Sequence, residues 1–481
     1  MALVTSAPTA PTPRRGLEIG LGLAVLVWGL YQSFWNLAAA NLNADEPIYR
    51  DAGWAYVHGD FALNREHPPV AKYVIGLSQL VFGQGELGPR IAAASTVILG
   101  GAILYFWLRR EIGWPGALFT AGAWMLLPHG MSSGVRLDRF GLLEPFMVFF
   151  AIAAFAAAWR WFRTRSWWWL VLSAVAMALS VTSKVSTAVM IPAILLLPLL
   201  ANRIRDTILG AVVFVAVFGV VFVVAYLPMG IRSAISYMLQ MQSEHNAAGH
   251  LVVVAGVATS FPPWWANLLF SVEGMGIAAS VVLVTGTVAA FFRRPPGLAL
   301  PLYVGAALAL LLVFYLFVST VALTHYYYAW VWLLCVLAGI GVSVLLGRRR
   351  SSVATVLTRV LAGLLIALGV VCAVWTSVAI ANERAEGMAL VLPALDELGV
   401  DVDSGEVLVS GMADWEYLPY LDGRQTVDAA DPDIVAVAVK DSLRFPETPE
   451  VEAFLDSNAG ELDEIVIDDV TLYVLEDAPV G

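Results

Sequence analysis

The sequence predicts an all-α polytopic membrane protein of about eleven transmembrane helices, followed by a small soluble α/β domain at the C-terminus. Three observations predict it. Of 481 residues, 59% are hydrophobic and 14% charged, with a mean hydropathy of +0.77, whereas a soluble domain carries about 25% charged residues. Apolar runs that read as spans occur near 17–38, 88–108, 113–131, 141–160, 167–183, 186–201, 207–228, 268–292, 299–320, 326–347 and 355–379. Residues 383–481 hold 25 of the 38 acidic residues and four basic ones, Arg384, Arg424, Lys440 and Arg444. A net charge of −11 for the whole chain therefore divides into a strongly acidic tail and a basic remainder, two parts suited to different solvents.

Arginines orient the spans. Arg14/Arg15, Arg109/Arg110, Arg160/Arg163/Arg165, Arg203/Arg205, Arg293/Arg294 and Arg348/Arg349/Arg350 fall at alternate ends of the runs. The positive-inside rule makes those ends cytoplasmic. The expectation is a multi-pass plasma-membrane protein with a disordered, cytoplasmic N-terminus (1–15), a membrane domain (16–382) and an extracytoplasmic α/β domain (383–481). The run after Arg14-Arg15 is long enough to stay in the bilayer as a span.

Segment 39–87 follows the first span and is the expected catalytic outer loop. Pro47–His58 reads as a short amphipathic helix, Gly59-Asp60 as a turn, and Pro68–Phe82 as a second such helix ending at Gly83. Helices of this kind lie in the membrane interface, and Tyr49, Trp54, Tyr56 and Tyr73 suit an aromatic belt there. The stretch opens on two adjacent carboxylates, Asp45 and Glu46, before Pro47. An acidic residue ahead of a proline is also a helix N-terminus, so capping and catalysis both stay open for the pair. Arg65, His67 and Lys72 follow in one short cationic span.

Further ionisable residues fall on the same predicted side. The turn 134–145 carries Arg136, Asp138, Arg139 and Glu144, with Glu144 entering an apolar run, where a charge is costly and marks a functional candidate. Anchoring of the helix end explains it equally well. Lys184 sits between two spans among hydroxyls, placed either to neutralise a phosphate or to snorkel. Residues 229–267 read as a long loop, polar around Glu244 and His245 and aromatic at Trp264-Trp265, a candidate lid. His325 opens a later span behind an aromatic girdle of tyrosines. Carboxylates facing cations at a membrane surface suit the activation of a hydroxyl against a lipid-linked phosphate.

The tail reads as helices at Met388–Leu398 and Pro449–Asp456, with strands at Glu406–Ser410, Ile434–Val439, Glu464–Ile467 and Leu472–Leu475. It carries no phosphate loop and no nucleophile motif, and its acidity argues against nucleic acid. A cover for the membrane domain or an acceptor-binding surface is expected. Cys335 and Cys372 both lie in apolar runs, which supports neither a disulfide framework nor a zinc site.

Asp45-Glu46, His67-Pro68-Pro69-Val70-Ala71-Lys72, Asp138-Arg139-Phe140-Gly141-Leu142-Leu143-Glu144 and Thr182-Ser183-Lys184 together resemble the dolichyl-phosphate-mannose–protein mannosyltransferases and the aminoarabinose transferase of lipid A, in the GT-C glycosyltransferase superfamily. The resemblance covers roughly residues 15–230. It implies a GT-C fold and an enzyme moving a single sugar, mannose or another hexose or pentose, from a polyprenyl-phosphate donor to a protein, lipid or glycan acceptor of the cell envelope. By the same resemblance Asp45 is the general base with Glu46 its neighbour, and His67, Lys72, Arg139 and Lys184 meet the donor phosphate. Glu144 stands where relatives often carry Asp, which leaves its role open. No cofactor is certain; some GT-C enzymes use a divalent metal, for which Asp45 and His67 would be the ligands. The rival from another class is a polytopic transporter or lipid flippase. Transporters place polar residues near the bilayer midplane, whereas here they cluster at the outer face.

Overall fold

The computed structural model describes residues 15–131, 134–292, 297–347, 352–401, 405–476 and 478–479. Of the expected disordered N-terminus (1–15), residues 1–14 lie outside the described residues, as do Arg293, Arg294 and Arg348–Arg350, while Arg15 opens the first helix.

The helices are α1 (Arg15–Phe34), α2 (Glu46–Val57), α3 (Val70–Phe82), α4 (Leu87–Ile112), α5 (Trp114–Leu126), α6 (Leu143–Thr164), α7 (Trp167–Val181), α8 (Ile191–Leu196), α9 (Ile204–Tyr226), α10 (Ile231–Ala248), α11 (Ala266–Ala290), α12 (Ala299–Val313), α13 (Tyr328–Leu346) and α14 (Ser352–Ala381). Eight helical segments among the described residues are long and apolar enough to cross a membrane: those built on α1, α4, α6, α9, α11, α12, α13 and α14. The other three expected spans are shorter. α5 stops at Leu126, ahead of Pro128, and at about 1.5 Å per residue its 13 residues reach about 20 Å. α7 has 15 residues. Residues 185–201 break into a 3-10 turn, α8 and a second 3-10 turn, with Pro192 and Pro198 each removing a helix donor.

Small residues set the packing of the membrane unit. α13 is the most enclosed helix, lying against α5 and α11. A Cβ on Gly286 of α11 would stand 2.7 Å from the Ala338 backbone of α13. A Cβ on Gly339 would run into Thr120 of α5. Membrane helices associate through such close backbone approach.

The two expected interfacial helices are present as α2 and α3, and they cross at Gly53 and Gly76. A Cβ on Gly53 would lie 2.9 Å from the Lys72 carbonyl, and one on Gly76 would overlap the Gly53 carbonyl. Tyr56 and Tyr73 then pack with Tyr226, Met229 and Ala234 at the end of α9 and the start of α10. Gly76→Leu is expected to separate the helices and lower stability by about 1–3 kcal/mol, as overpacking does. An unchanged melting temperature in nanodiscs would show that the crossing is not tight.

Residues 229–267 are not the loop expected. Its largest element is α10, an 18-residue helix, followed by a hairpin of β1 (Val252–Val254) and β2 (Val257–Thr259). Its polar composition concealed the helix: among its described side chains only Ala234 is buried, so it carries no broad apolar stripe.

The chain divides into two compact units, with one boundary between Asn382 and Glu383. Residues 39–47 and 248–262 group with the C-terminal unit. That unit holds α15 (Val391–Glu397), α16 (Asp414–Leu421), α17 (Pro449–Ser457), β3 (Glu406–Ser410), β4 (Gln425–Thr426), β5 (Ile434–Val439), β6 (Leu462–Ile467) and β7 (Val470–Leu475). The sheet order is β4-β3-β5-β7-β6. β3 runs parallel to β4 and β5, and β7 antiparallel to β5 and β6. Alternating residues sort the faces. Val407, Val409, Ala436 and Ala438 pack with Val391, Leu395, Tyr417 and Leu421, while Leu408 and Val437 pack with Val451 of α17. Sequence reading missed α16, whose pattern is interrupted by Pro419, and the two-residue β4.

Candidate functional site

The membrane unit draws four of the singled-out residues together. Glu144 lies in the first turn of α6, where the helix N-terminus favours a carboxylate. Lys184 follows α7 in extended backbone, and His325 precedes α13. Glu144 is buried and makes an ion pair with Lys184; His325 Nε2 lies 3.3 Å from the same carboxylate oxygen. The Lys184 ammonium also sits 4.9 Å from the ring centre of Tyr326, which packs against Tyr315 at 5.3 Å. A π-turn over Phe314–Val318 presents Tyr315, and Asn267 of α11 donates to the Tyr315 carbonyl at 2.9 Å. Such turns often mark functional sites.

His67 is carried to this cluster by the backbone. Pro68 and Pro69 have no N–H, so the first donor of α3 is Val70 N–H, which reaches the Thr182 carbonyl at 2.8 Å, two residues from Lys184. The His67 ring meets the edge of Tyr49 at 5.7 Å. Burial first, then the charges of Lys184 and Lys72, push its pKa down to about 3, against the pull of Glu144. His67 is therefore neutral at physiological pH. An unfolded histidine takes up its proton near pH ~6.5, so stability is full above that value and falls as the pH drops towards about 3. His67→Gln is expected to flatten the loss of melting temperature over this window; a parallel pH profile in mutant and parent would refute that.

Lys72 was expected at the donor phosphate, and the structure gives its ammonium other partners. It is fully buried and donates to the Asn64 carbonyl, to Asn64 Oδ1 at 3.2 Å and to the His67 carbonyl at 2.9 Å. These account for its three donors, and the ring centre of Tyr56 lies 4.9 Å away. Lys72 thus closes the Asn64–His67 turn and holds His67 in place. Arg65 extends to α10, donating to Ser233 Oγ at 2.9 Å and lying 5.7 Å from the Tyr237 ring centre.

Arg139 also has structural partners. It donates to the carbonyls of Gln32 at 2.7 Å, Trp35 at 2.8 Å and Asn36 at 3.2 Å, capping the C-terminal end of α1. Arg136 does the same for α5, donating to the Met125 and Leu127 carbonyls. Asp138 grips Arg136 in a fork, at 2.9 Å and 2.6 Å, and accepts from Tyr328 at 3.3 Å. The turn before α6 is thus a buried knot that aims Glu144.

Of the acidic pair, Glu46 is the capping member. Its carboxylate accepts the Asn43 N–H at 3.1 Å, while Asn43 Oδ1 accepts the Asp45 N–H at 3.1 Å, a reciprocal arrangement at the start of α2. Glu46 is buried and Asp45 partly exposed. Glu244 lies on the exposed face of α10, accepting from Gln240 one turn earlier at 2.8 Å. His245, on the same helix, is near enough to His67 to add to the lowering of its pKa. Among the described residues no group of three or more His, Cys, Asp or Glu side chains is placed to hold a metal ion.

Comparison with known proteins supplies the family context. The profile of the dolichyl-phosphate-mannose-protein mannosyltransferases matches residues 66–230. That stretch includes His67, Lys72, Arg136, Asp138, Arg139, Glu144 and Lys184, and begins after Asp45 and Glu46. ArnT from Cupriavidus metallidurans, solved with undecaprenyl phosphate, superposes with a TM-score of 0.56, covering 96% of this chain and 98% of that one at 16% identity. The chain has the GT-C glycosyltransferase fold. The archaeal oligosaccharyltransferase AglB from Archaeoglobus fulgidus, solved with an inhibitory peptide and a dolichol-phosphate, shares this GT-C fold at a TM-score of 0.56, over 89% of this chain and 70% of that one, with 11% identity. A polyprenol-phosphate-mannose–protein mannosyltransferase from Mycolicibacterium smegmatis is 29% identical over 118 residues, 23% of this chain and 22% of that protein. The match thus spans about a fifth of that relative's length.

Proposed function

We propose that this GT-C chain transfers a single sugar from a polyprenyl-phosphate donor to an acceptor hydroxyl at the extracytoplasmic face of the membrane. The observation that carries the proposal is the buried Glu144–Lys184–His325 cluster beside His67, three of its four residues inside the stretch matched to mannosyltransferases. The GT-C fold supports it.

The donor phosphodiester carries one negative charge, and the leaving polyprenyl phosphate gains a second as the bond from the anomeric carbon to phosphate oxygen breaks. A cation aimed at that oxygen stabilises the transition state more than the ground state. Lys184 takes this part. Glu144 serves as its internal counter-ion before the donor arrives, and His325 takes over the carboxylate when the ammonium turns to phosphate. Asp45 accepts the acceptor's hydroxyl proton as oxygen bonds to the anomeric carbon; in-line attack inverts that centre. Lys72, Arg136, Asp138 and Arg139 are positioning residues, and Glu46 caps α2. The proposed orientation, N-terminus inside and residues 383–481 outside, rests on the arginine pattern and on eleven crossings, with the three shorter helical stretches counted alongside the eight long ones.

The test uses the full chain in nanodiscs with a labelled polyprenyl-phosphate mannose and a labelled polyprenyl-phosphate pentose. Release of polyprenyl phosphate from either supports a transferase and names the sugar class. Donor movement across vesicles without cleavage would replace it with the flippase alternative.

A further inference from the structure

The carboxyl ends of β3 and β5 form a second place with chemistry of its own. The strands are parallel neighbours, so both end at one edge of the sheet. From β3 the chain passes through α16 to β4 on one side. From β5 it passes through α17 to β6 on the other, and α16 and α17 cover opposite faces. Open α/β sheets bind ligands where neighbouring connections part in this way. The strand ends are drawn tight: Lys440 N–H donates to the Ser410 carbonyl at 3.1 Å, and Gly411 (φ +75°) has the Lys440 carbonyl where a Cβ would stand.

Two of the tail's four basic residues meet here. Lys440 bridges Glu416 at 2.8 Å and Asp469 at 2.9 Å. Arg444 has no ion pair among the described residues, although the tail holds 25 carboxylates. Its guanidinium lies 5.8 Å from the ring centre of Trp415 and 4.9 Å from that of Phe445. Its Nε is shielded from solvent with no hydrogen-bond partner among the described residues. Trp415 keeps 38% of its surface exposed. An open indole beside paired carboxylates, an ammonium and an uncommitted guanidinium can hold a pyranose: its C–H face on the ring, its hydroxyls on the charged groups, an acid substituent on the arginine fork. A ligand of many negative charges is repelled by the surrounding acidity.

We infer that the carboxyl edge of β3 and β5, with Trp415, Glu416, Lys440 and Arg444, is a binding site for a saccharide bearing a single acid group. Only the further step of naming that saccharide the acceptor rests on the transferase proposal above.

The test uses the full chain in nanodiscs and isothermal titration with a glucuronate-terminated disaccharide, its neutral glucose-terminated counterpart and inorganic phosphate. Wild type binds the acidic disaccharide more tightly than the neutral one. Arg444→Gln weakens the acidic ligand about tenfold or more, the value of one charge-assisted contact, and leaves the neutral one unchanged. Trp415→Ala weakens both, and Trp415→Phe, which keeps a ring, restores part of the affinity. Polyprenyl-phosphate binding is unchanged in all three variants. No disaccharide binding, equal binding by Arg444→Gln, or phosphate binding as tightly as the disaccharide would overturn the site. Loss of donor cleavage with saccharide binding intact would instead count only against the transferase proposal.

Discussion

Lys184→Met is expected to lower sugar transfer about 10²- to 10³-fold, the usual cost of removing one electrostatic stabiliser of a developing anion. It also leaves the buried Glu144 carboxylate with only His325 of its two ion-pair partners. Breaking one side of a buried pair costs about 3–5 kcal/mol, because the remaining charge is stranded. Loss of activity alone would therefore not separate catalysis from folding. The double variant Lys184→Met/Glu144→Leu restores a neutral, apolar site, and its melting temperature should recover towards the parent value. Transfer should not recover, since the donor phosphate still lacks its cation. If activity returned together with stability, Lys184 would be a structural counter-ion and the donor phosphate would lie elsewhere.

Asp45→Asn is expected to reduce transfer about 10²- to 10⁴-fold, the contribution of a positioned general base, with little change in stability. The contrast with Glu46 sharpens the measurement. Glu46 accepts the Asn43 N–H at the start of α2, so Glu46→Ala should cost about 0.5–2 kcal/mol of stability, as loss of a cap does. Donor binding should survive in Asp45→Asn, because the residue is assigned to the acceptor proton. Full turnover in Asp45→Asn would remove it from the mechanism. A melting temperature falling as far as in Glu46→Ala would make it a second cap.

The two carboxylates show how far spacing reaches. An acidic pair ahead of Pro47 announces a helix start, and spacing offers no way to choose the capping member. The choice comes from Asn43, whose side chain takes the Asp45 N–H and whose own N–H goes to Glu46. Arg136, Arg139 and Lys72 carry the same lesson. Each is a cation in a charged stretch, and each finds carbonyls at a helix end or a turn. A basic side chain near a phosphate and one capping a helix look alike along the chain, because the deciding carbonyls come from other elements.

Composition and periodicity alone determined the membrane character, the two helices of the outer segment and the strands β3 and β5, because burial in lipid or in a sheet writes itself into apolar repeats; of the eleven spans expected, eight are long enough to cross and three are shorter, a distinction the apolar runs did not make. Glu144 was legible as a candidate because a charge entering an apolar run is costly, Lys184 because it stands between two spans, and His67 because it falls in a short cationic span. Their partners were decided by tertiary structure: α6, α7 and α13 end at one point, and the pairing of Glu144 with Lys184 spans forty residues of chain. The same holds for the broken 185–201 stretch, where two prolines left neighbouring helices to choose the conformation, whereas α10, with one buried side chain among those described, was hidden by its polar composition. Local sequence encodes which surface wants to be buried; which charges share that burial depends on chain ends that only folding brings together.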